Sequence, residues 1–402
     1  MIKGFKIFSI FPDSKARMKN LLYLCILLMS LPVFAQNGGD NTYEFLNVPV
    51  SARVGALGGS AIAIKDGDPN LALNNPSLLS PEMHSTVSLT YLNYFADINY
   101  GFVSYTSDFK KLGTFSAGMK YITYGKFQET DAGGNELGEF SAGEYALVLG
   151  WGKSIDTSLS VGANIKPIYS SFYNYYSFGL AADASMTYVF HKRQITMAMV
   201  ARNMGSQVTT YVEDGEREPL PFEVQFGISK RLKYVPLRLS LSLNNLENRN
   251  LAYNDSTYLT NSNANLSDEE KDERNRSGLF KEALRHVTLG AEIIPSKTFI
   301  LRFGFNFKRR SELAIEEKPG LVGFSWGLGV RVKRFHISYG SAKYHLAGSS
   351  NHITISTNLS QSYKRDIKVY REPKEKKVKE PREKKVKEPR EKKQKKNKKE
   401  EI

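Results

Sequence analysis

The chain has 402 residues, a length that admits two or three soluble domains or one large β-barrel. Its formal net charge of +15 sits at the two ends: residues 1–36 carry +4 and residues 364–402 carry +10, which leaves the body near +1. A folded nucleic-acid-binding face is therefore disfavoured, and a 41% hydrophobic fraction with no apolar run of 18 residues excludes helical membrane spans.

Lys3, Lys6, Lys15, Arg17 and Lys19 precede an apolar run from Leu21 to Phe34, and Val33-Phe34-Ala35 closes it with a small residue. This is the grammar of a secretory signal peptide over residues 1–35, read from either Met1 or Met18 as the start. Cys25, the only cysteine, lies inside that run, so the exported chain has no thiol for disulfides, catalysis or metal binding.

Residues 36–85 are rich in small side chains. Gly55, Ala56, Gly58 and Gly59 follow Arg53; Asp66 and Asp68 flank Gly67; Asn74 and Asn75 lead into Pro76. Glycines permit close backbone packing and the prolines punctuate turns, which suits a plug or hatch inside a crowded lumen.

From Thr86 onward the chain alternates large apolar residues with small or polar ones. Phe222, Val224, Phe226 and Ile228 alternate with Glu223, Gln225, Gly227 and Ser229, and Phe299, Leu301, Phe303, Phe305 and Phe307 face away from Arg302, Gly304, Asn306 and Lys308. Successive side chains of a strand point to opposite faces, so each segment has one apolar face. About fourteen segments follow this pattern, near 86–95, 100–108, 112–124, 142–153, 158–169, 175–190, 193–202, 222–233, 236–244, 284–295, 298–308, 321–334, 335–344 and 351–362. Most have the length a tilted strand needs to cross a bilayer.

The connections alternate. Lys110-Lys111, 154–157, His191-Lys192, 233–235, Ser296-Lys297 and Arg334 are tight, whereas 125–141, 203–221, 245–283 and 309–320 are long. Loops 125–141 and 203–221 each sum to −3, while the tight turns are mostly basic. Together these features predict an all-β, transmembrane, antiparallel outer-membrane barrel over 86–363, with short periplasmic turns, long extracellular loops and both termini periplasmic. The loop 245–283 reads either as a lid or docking surface or as a solvated connection.

The six histidines have no metal-motif spacing, and no nucleophile elbow or phosphate-cradling loop occurs. No catalytic, cofactor or metal site is expected, and the chain does not read as an enzyme. Glu223, Arg238, Glu292, Arg302, Arg331 and Lys333 fall on the polar strand face, where neighbouring strands would pair them as filling for a narrow or plugged lumen. Residues 364–402 repeat Lys/Arg-Glu-Pro units with an eight-residue period; they read as a disordered periplasmic tail, either tethered to anionic cell wall or lipid headgroups or merely solvated.

The stretch from Asn41 to Ser60, the Asp66-Gly-Asp-Pro69 turn and Asn74-Asn-Pro-Ser-Leu78 together resemble the N-terminal signature of FadL-like fourteen-stranded barrels. Thr42 to Arg53 with Ala56-Leu-Gly-Gly59 is most similar to the PorV/PorQ group within them, the outer-membrane barrels of type IX secretion. That resemblance implies a barrel that anchors a surface protein, PorZ-like, in the complex that attaches secreted cargo to lipopolysaccharide, together with PorU and PorV. The competing expectation is a FadL-like transporter of hydrophobic small molecules. A conduit of that kind needs an apolar lining, and the polar inward faces of the best-patterned strands argue against it.

Overall fold

The computed structural model describes residues 41–94, 98–249, 251, 279–313, 320–345 and 348–360. The chain divides into Met1–Arg365 and Asp366–Ile402. The leader, the basic tail and most of the loop 245–283 lie outside the described residues.

Fourteen antiparallel strands close into one barrel in sequence order, with β1 pairing both β2 and β14. They are β1 (Thr86–Asn93), β2 (Asn99–Asp108), β3 (Thr114–Thr130), β4 (Glu136–Ser154), β5 (Leu159–Phe172), β6 (Tyr175–Phe190) and β7 (Ile195–Thr209), then β8 (Glu223–Arg231), β9 (Leu237–Leu243), β10 (Val287–Ile293), β11 (Phe299–Asn306), β12 (Phe324–Val332), β13 (Phe335–His345) and β14 (Gly348–Asn358). Closure satisfies every strand edge with a neighbour, which a bilayer demands because it offers no water to unpaired N–H and C=O groups. The number, the antiparallel order and the closed form are those the alternation predicts.

Alternation also sets the two faces. Along β12, Phe324 and Trp326 are about half exposed, while Ser325, Gly327 and Gly329 point inward and are buried. Leu89, Val103, Met119, Leu147, Ile165 and Leu180 continue the outward apolar surface around the wall. An apolar belt of this kind on a closed barrel faces lipid.

One rim carries the tight turns, and Thr86 pairs with Asn358 there, so the barrel begins and ends on that rim. On the opposite rim three segments differ from expectation. The predicted loop 125–141 is mostly a ribbon: β3 and β4 continue pairing from Lys126↔Ser141 to Thr130↔Glu136 around a bulge, leaving a turn at 131–135. β7 likewise runs to Thr209 instead of ending at 202, which shortens the predicted loop 203–221. The predicted strand 298–308 stops at Asn306, where the Asn306 side chain accepts from the Arg309 N–H and starts helix α3 (Phe307–Leu313), so Phe307 leaves the apolar strand face. Arg331, still within β12, and Lys333, just past its end, stand exposed at the tight-turn rim, where both line a vestibule that opens beside Arg53. The first described residues sit at the loop rim, where the Thr42 N–H donates to Pro219 O; the chain ends themselves lie outside the described residues.

Candidate functional site

Residues 41–85 thread the lumen from the loop rim to Thr86 at the turn rim as short pieces: helix α1 (Ala52–Ala56), helix α2 (Pro69–Ala72) and three 3-10 turns. Ser51 caps α1 by accepting from the Val54 N–H, Asp68 caps α2 by accepting from Asn70, and Asn75 caps the turn begun by Pro76. Each cap satisfies a backbone donor that the packed segment would otherwise leave unpaired. Val54, Leu57, Ile64, Leu71, Leu78 and Met83 pack together as a small core of their own.

The wall meets this segment with glycine. A Cβ on Gly162 would lie 2.3 Å from the carbonyl carbon of Pro76, and one on Gly152 would lie 2.3 Å from Pro76 O. On the far side a Cβ on Gly304 would sit 2.2 Å from Gly58 N, and one on Gly340 would sit 2.2 Å from Ala52 O. Gly58 and Gly59 take φ of +89° and +96°, a left-handed backbone that other residues enter at a cost. Gly55 packs on the His352 ring, and Ala56 O accepts from Ser325 Oγ at 3.1 Å.

Arg53 is the centre of the charge network. Its guanidinium donates to Glu292 through Nε and Nη2, both at 2.9 Å, to Asp66 through Nη2 at 2.7 Å and Nη1 at 3.0 Å, and to Asp68 through Nη1 at 3.0 Å. Arg238 Nη1 bridges Asp66 and Glu292 at 2.7 Å each, and Arg302 Nε reaches Glu292 at 3.1 Å. Glu292 pairs in register with Arg238 on one side and Arg302 on the other, so strands β9, β10 and β11 hold the wall half of the latch. Three guanidinium groups thus face three carboxylates: the guanidinium groups and Glu292 are buried, Asp68 is half-buried, and Asp66 lies at the edge of the lumen with a partly accessible side chain. Burial alone would raise the Asp66 carboxyl; Arg53 and then Arg238 overcome it and hold the group well below the usual carboxylate range. Burial likewise opposes the charge on Arg53, but Asp66, Glu292 and Asp68 together keep it fully protonated.

A second network lies nearer the loop rim. Lys166 Nζ donates to Asp183 at 2.7 Å and to Asn203 at 2.9 Å, Arg202 pairs with Glu223 at 2.8 Å, and Asn47 of the plug accepts from both Arg202 and Asn203. Lys120 Nζ donates to Leu46 O at 2.7 Å. Tyr43, Phe45 and Leu46 pack there against Leu92, Tyr100, Ile122 and Ile168 of the wall. This inward apolar patch is missed by a reading that rests on the best-patterned strands, since those lie in the second half of the chain. Its signal is present in β2, where Tyr100 and Phe102 occupy inward positions.

The ten singled-out residues, Arg53, Gly55, Ala56, Gly58, Gly59, Asp66, Asp68, Asn74, Asn75 and Pro76, thus all lie within the lumen. Arg53, Asp66 and Asp68 form the latch, and the others shape or cap the backbone, with Asn75 Nδ2 donating to Ile62 O at 2.7 Å and Asn74 N–H to Leu71 O. Of the predicted strand charges, Glu292, Arg238, Arg302 and Glu223 join these networks. Among the described residues no group of His, Cys, Asp and Glu is arranged to hold a metal ion. Among the spaces that adjoin the barrel, a cleft of about 720 Å³ lies at the loop rim between the β5–β6 turn and the residues after β7. A vestibule of about 290 Å³ opens beside Arg53, Asp66 and His336 at the turn rim, and an outward groove of about 570 Å³ lies between β5, β6 and β7. The architecture is a plugged, closed, fourteen-stranded barrel.

No family model and no curated protein matches the chain. Among solved structures it is similar to the Pseudomonas putida toluene transporter TodX, with 11% identity, 81% of this chain and 98% of that one covered, and a TM-score of 0.43. A Pseudomonas aeruginosa FadL homologue aligns at 10% identity over 77% of this chain and 98% of its own, with a TM-score of 0.41. The KdgM porin aligns at 5% over 68% of this chain and 98% of its own, with a TM-score of 0.30.

Proposed function

We propose that the chain is a non-enzymatic outer-membrane barrel that anchors a protein partner at the cell surface, in the manner of PorQ in type IX secretion. The partner is a PorZ-like surface protein, with PorU- and PorV-like proteins in the same assembly. The observation that carries this reading is the filled lumen: the plug touches the wall at β4 and β5 through Pro76, at β11 through Gly58 and at β13 through Ala52, and the Arg53 latch ties it to β9, β10 and β11. A barrel filled in this way is a platform, and its work falls to its rims. In this reading the tight turns lie in the periplasm and the acidic loops outside.

A second reading, transport of hydrophobic small molecules, draws on the outward groove. There the β6–β7 pairing slips between Ala182 and Ala184, Asn203 adopts φ of +57°, and Ile165, Leu180, Met204 and Val208 line an apolar recess. The two readings separate in a mild-detergent pull-down of the protein from its own outer membrane. A stoichiometric surface protein with other type IX components supports the anchor. A lone barrel carrying lipid or fatty acid overturns it in favour of transport.

A further inference from the structure

The tight-turn rim is a ring of positive charge. Each of its six turns, or the strand end beside it, presents an exposed lysine: Lys110, Lys153, Lys192, Lys233, Lys297 and Lys333. The acids of the same turns are engaged locally. Asp108 accepts from the Lys110 N–H and Thr114 Oγ1, and Asp156 accepts from the Ser158 and Leu159 N–H groups. Two loops of the opposite rim are acidic instead, with Asp131 in the β3–β4 turn and Glu213, Asp214, Glu216 and Glu218 before β8.

Two of these lysines occupy positions that backbone geometry reserves for other residues. Lys110 has φ of 53° and Lys333 has φ of 54°, where glycine or asparagine would sit with less strain. Aromatic rings stand beside the cations on the lipid side of the rim. Lys233 Nζ lies 5.5 Å from the Tyr234 ring, itself 89% exposed, and the Arg334 guanidinium lies 5.2 Å from Phe335. Trp151 and Phe115 continue the band, with the indole N–H donating to Leu112 O at 2.9 Å. Aromatic residues at headgroup depth with cations just beyond them are the arrangement that holds a barrel against the phosphate layer of a leaflet.

We propose that this rim is a collar for anionic phospholipids, each turn lysine meeting the phosphodiester of a phosphatidylglycerol- or cardiolipin-type headgroup in the leaflet it contacts. The collar is independent of whether the barrel anchors a protein or moves a ligand. It accounts for the exposed lysine at or beside every tight turn.

The test uses the full chain in nanodiscs of equal parts phosphatidylcholine and phosphatidylglycerol, with the lipids that stay bound after detergent extraction counted by native mass spectrometry. The unaltered protein retains phosphatidylglycerol over phosphatidylcholine by about fivefold or more, since each cation near an anionic surface contributes roughly that factor. The preference collapses in a variant carrying K110Q, K192Q, K233Q and K297Q, and it weakens at high salt. Heat-modifiable mobility on gels confirms that this variant is still a closed barrel. A companion variant with K376Q, K377Q, K384Q and K385Q in the basic tail keeps the preference. An unchanged preference in the turn variant overturns the proposal, as does its loss in the tail variant alone. Retention on isolated cell-wall sacculi with no lipid preference also overturns it.

Discussion

Arg53 carries more of this structure than any other single side chain, because it satisfies three carboxylates at once and two of them belong to its own segment. Removing one partner from a buried charge network leaves the others uncompensated, at about 3–5 kcal/mol. Arg53→Met is therefore expected to lower the temperature at which the folded barrel loses its fast gel mobility, while Arg53→Lys, which keeps charge but loses the planar fork, falls between it and the parent. Acid should spare the latch over a wide range. The Asp66 carboxyl is depressed in the folded state, so its contribution is fully present above the unfolded value near about 3.9 and is lost only as pH falls through the folded value. Protease protection of the segment around Arg53 should then be the same at pH 7 and pH 5 and decline only under strongly acid conditions; release of the segment near pH 5 would contradict the latch. At this scale the sequence marked the right residues, since Arg53, Asp66 and Asp68 stand out in a small-residue stretch. It did not show that Glu292 and Arg238, far along the chain, complete the site.

Among the elements, the β3–β4 ribbon departs most from its neighbours. β3 and β4 have 17 and 19 residues, against 8 in β1 and 10 in β2, and beyond Thr123 and Ala142 they pair only with each other. At about 3.3 Å per residue the hairpin rises roughly 20 Å above those neighbours. Phe127 stacks on Phe140 at 5.4 Å, Phe140 meets Tyr173 edge-on at 5.0 Å, and Tyr173 Oη donates to Glu129 at 2.6 Å, so the β5–β6 turn braces it. Replacing residues 126–141 with a two-residue turn should leave the barrel closed and heat-modifiable, because no wall pairing is lost. If the anchor reading holds, the same variant loses at least about tenfold in partner retention, the factor that some 1.4 kcal/mol represents. The ribbon was illegible as strand for a physical reason: both of its faces meet water, so Lys126, Glu129, Glu136 and Glu139 hide the alternation while backbone pairing persists. At the end of β7 the inward residues Asn203 and Gln207 are buried yet polar, and Gly205 and Ser206 interrupt the apolar side between Met204 and Val208, so the alternation is broken there. Where one face meets lipid, as in β12, the alternation survived and the strand was readable.

For the molecule as a whole, closure and filling work together. Inward glycines let the plug approach the wall, two charge networks fix it at different depths, and Tyr43, Phe45 and Leu46 cover the apolar patch at the loop rim. The intact protein should therefore show no steady conductance in planar bilayers. Deleting residues 41–80 should open a stable ion-conducting pore, and a silent deletion variant that still migrates as a folded barrel would contradict a lumen held shut by the plug. The sequence by itself determined the strand count, the antiparallel order, the lipid-facing surface and the sorting of charge between rims, because each follows from a period of two read against a bilayer or from the composition of local turns. Only the tertiary structure decided which charges meet, where the strands outlast the membrane and how the lumen is filled. Those depend on groups brought together from strands distant in sequence, and no local pattern encodes the register that joins Glu292 to Arg53.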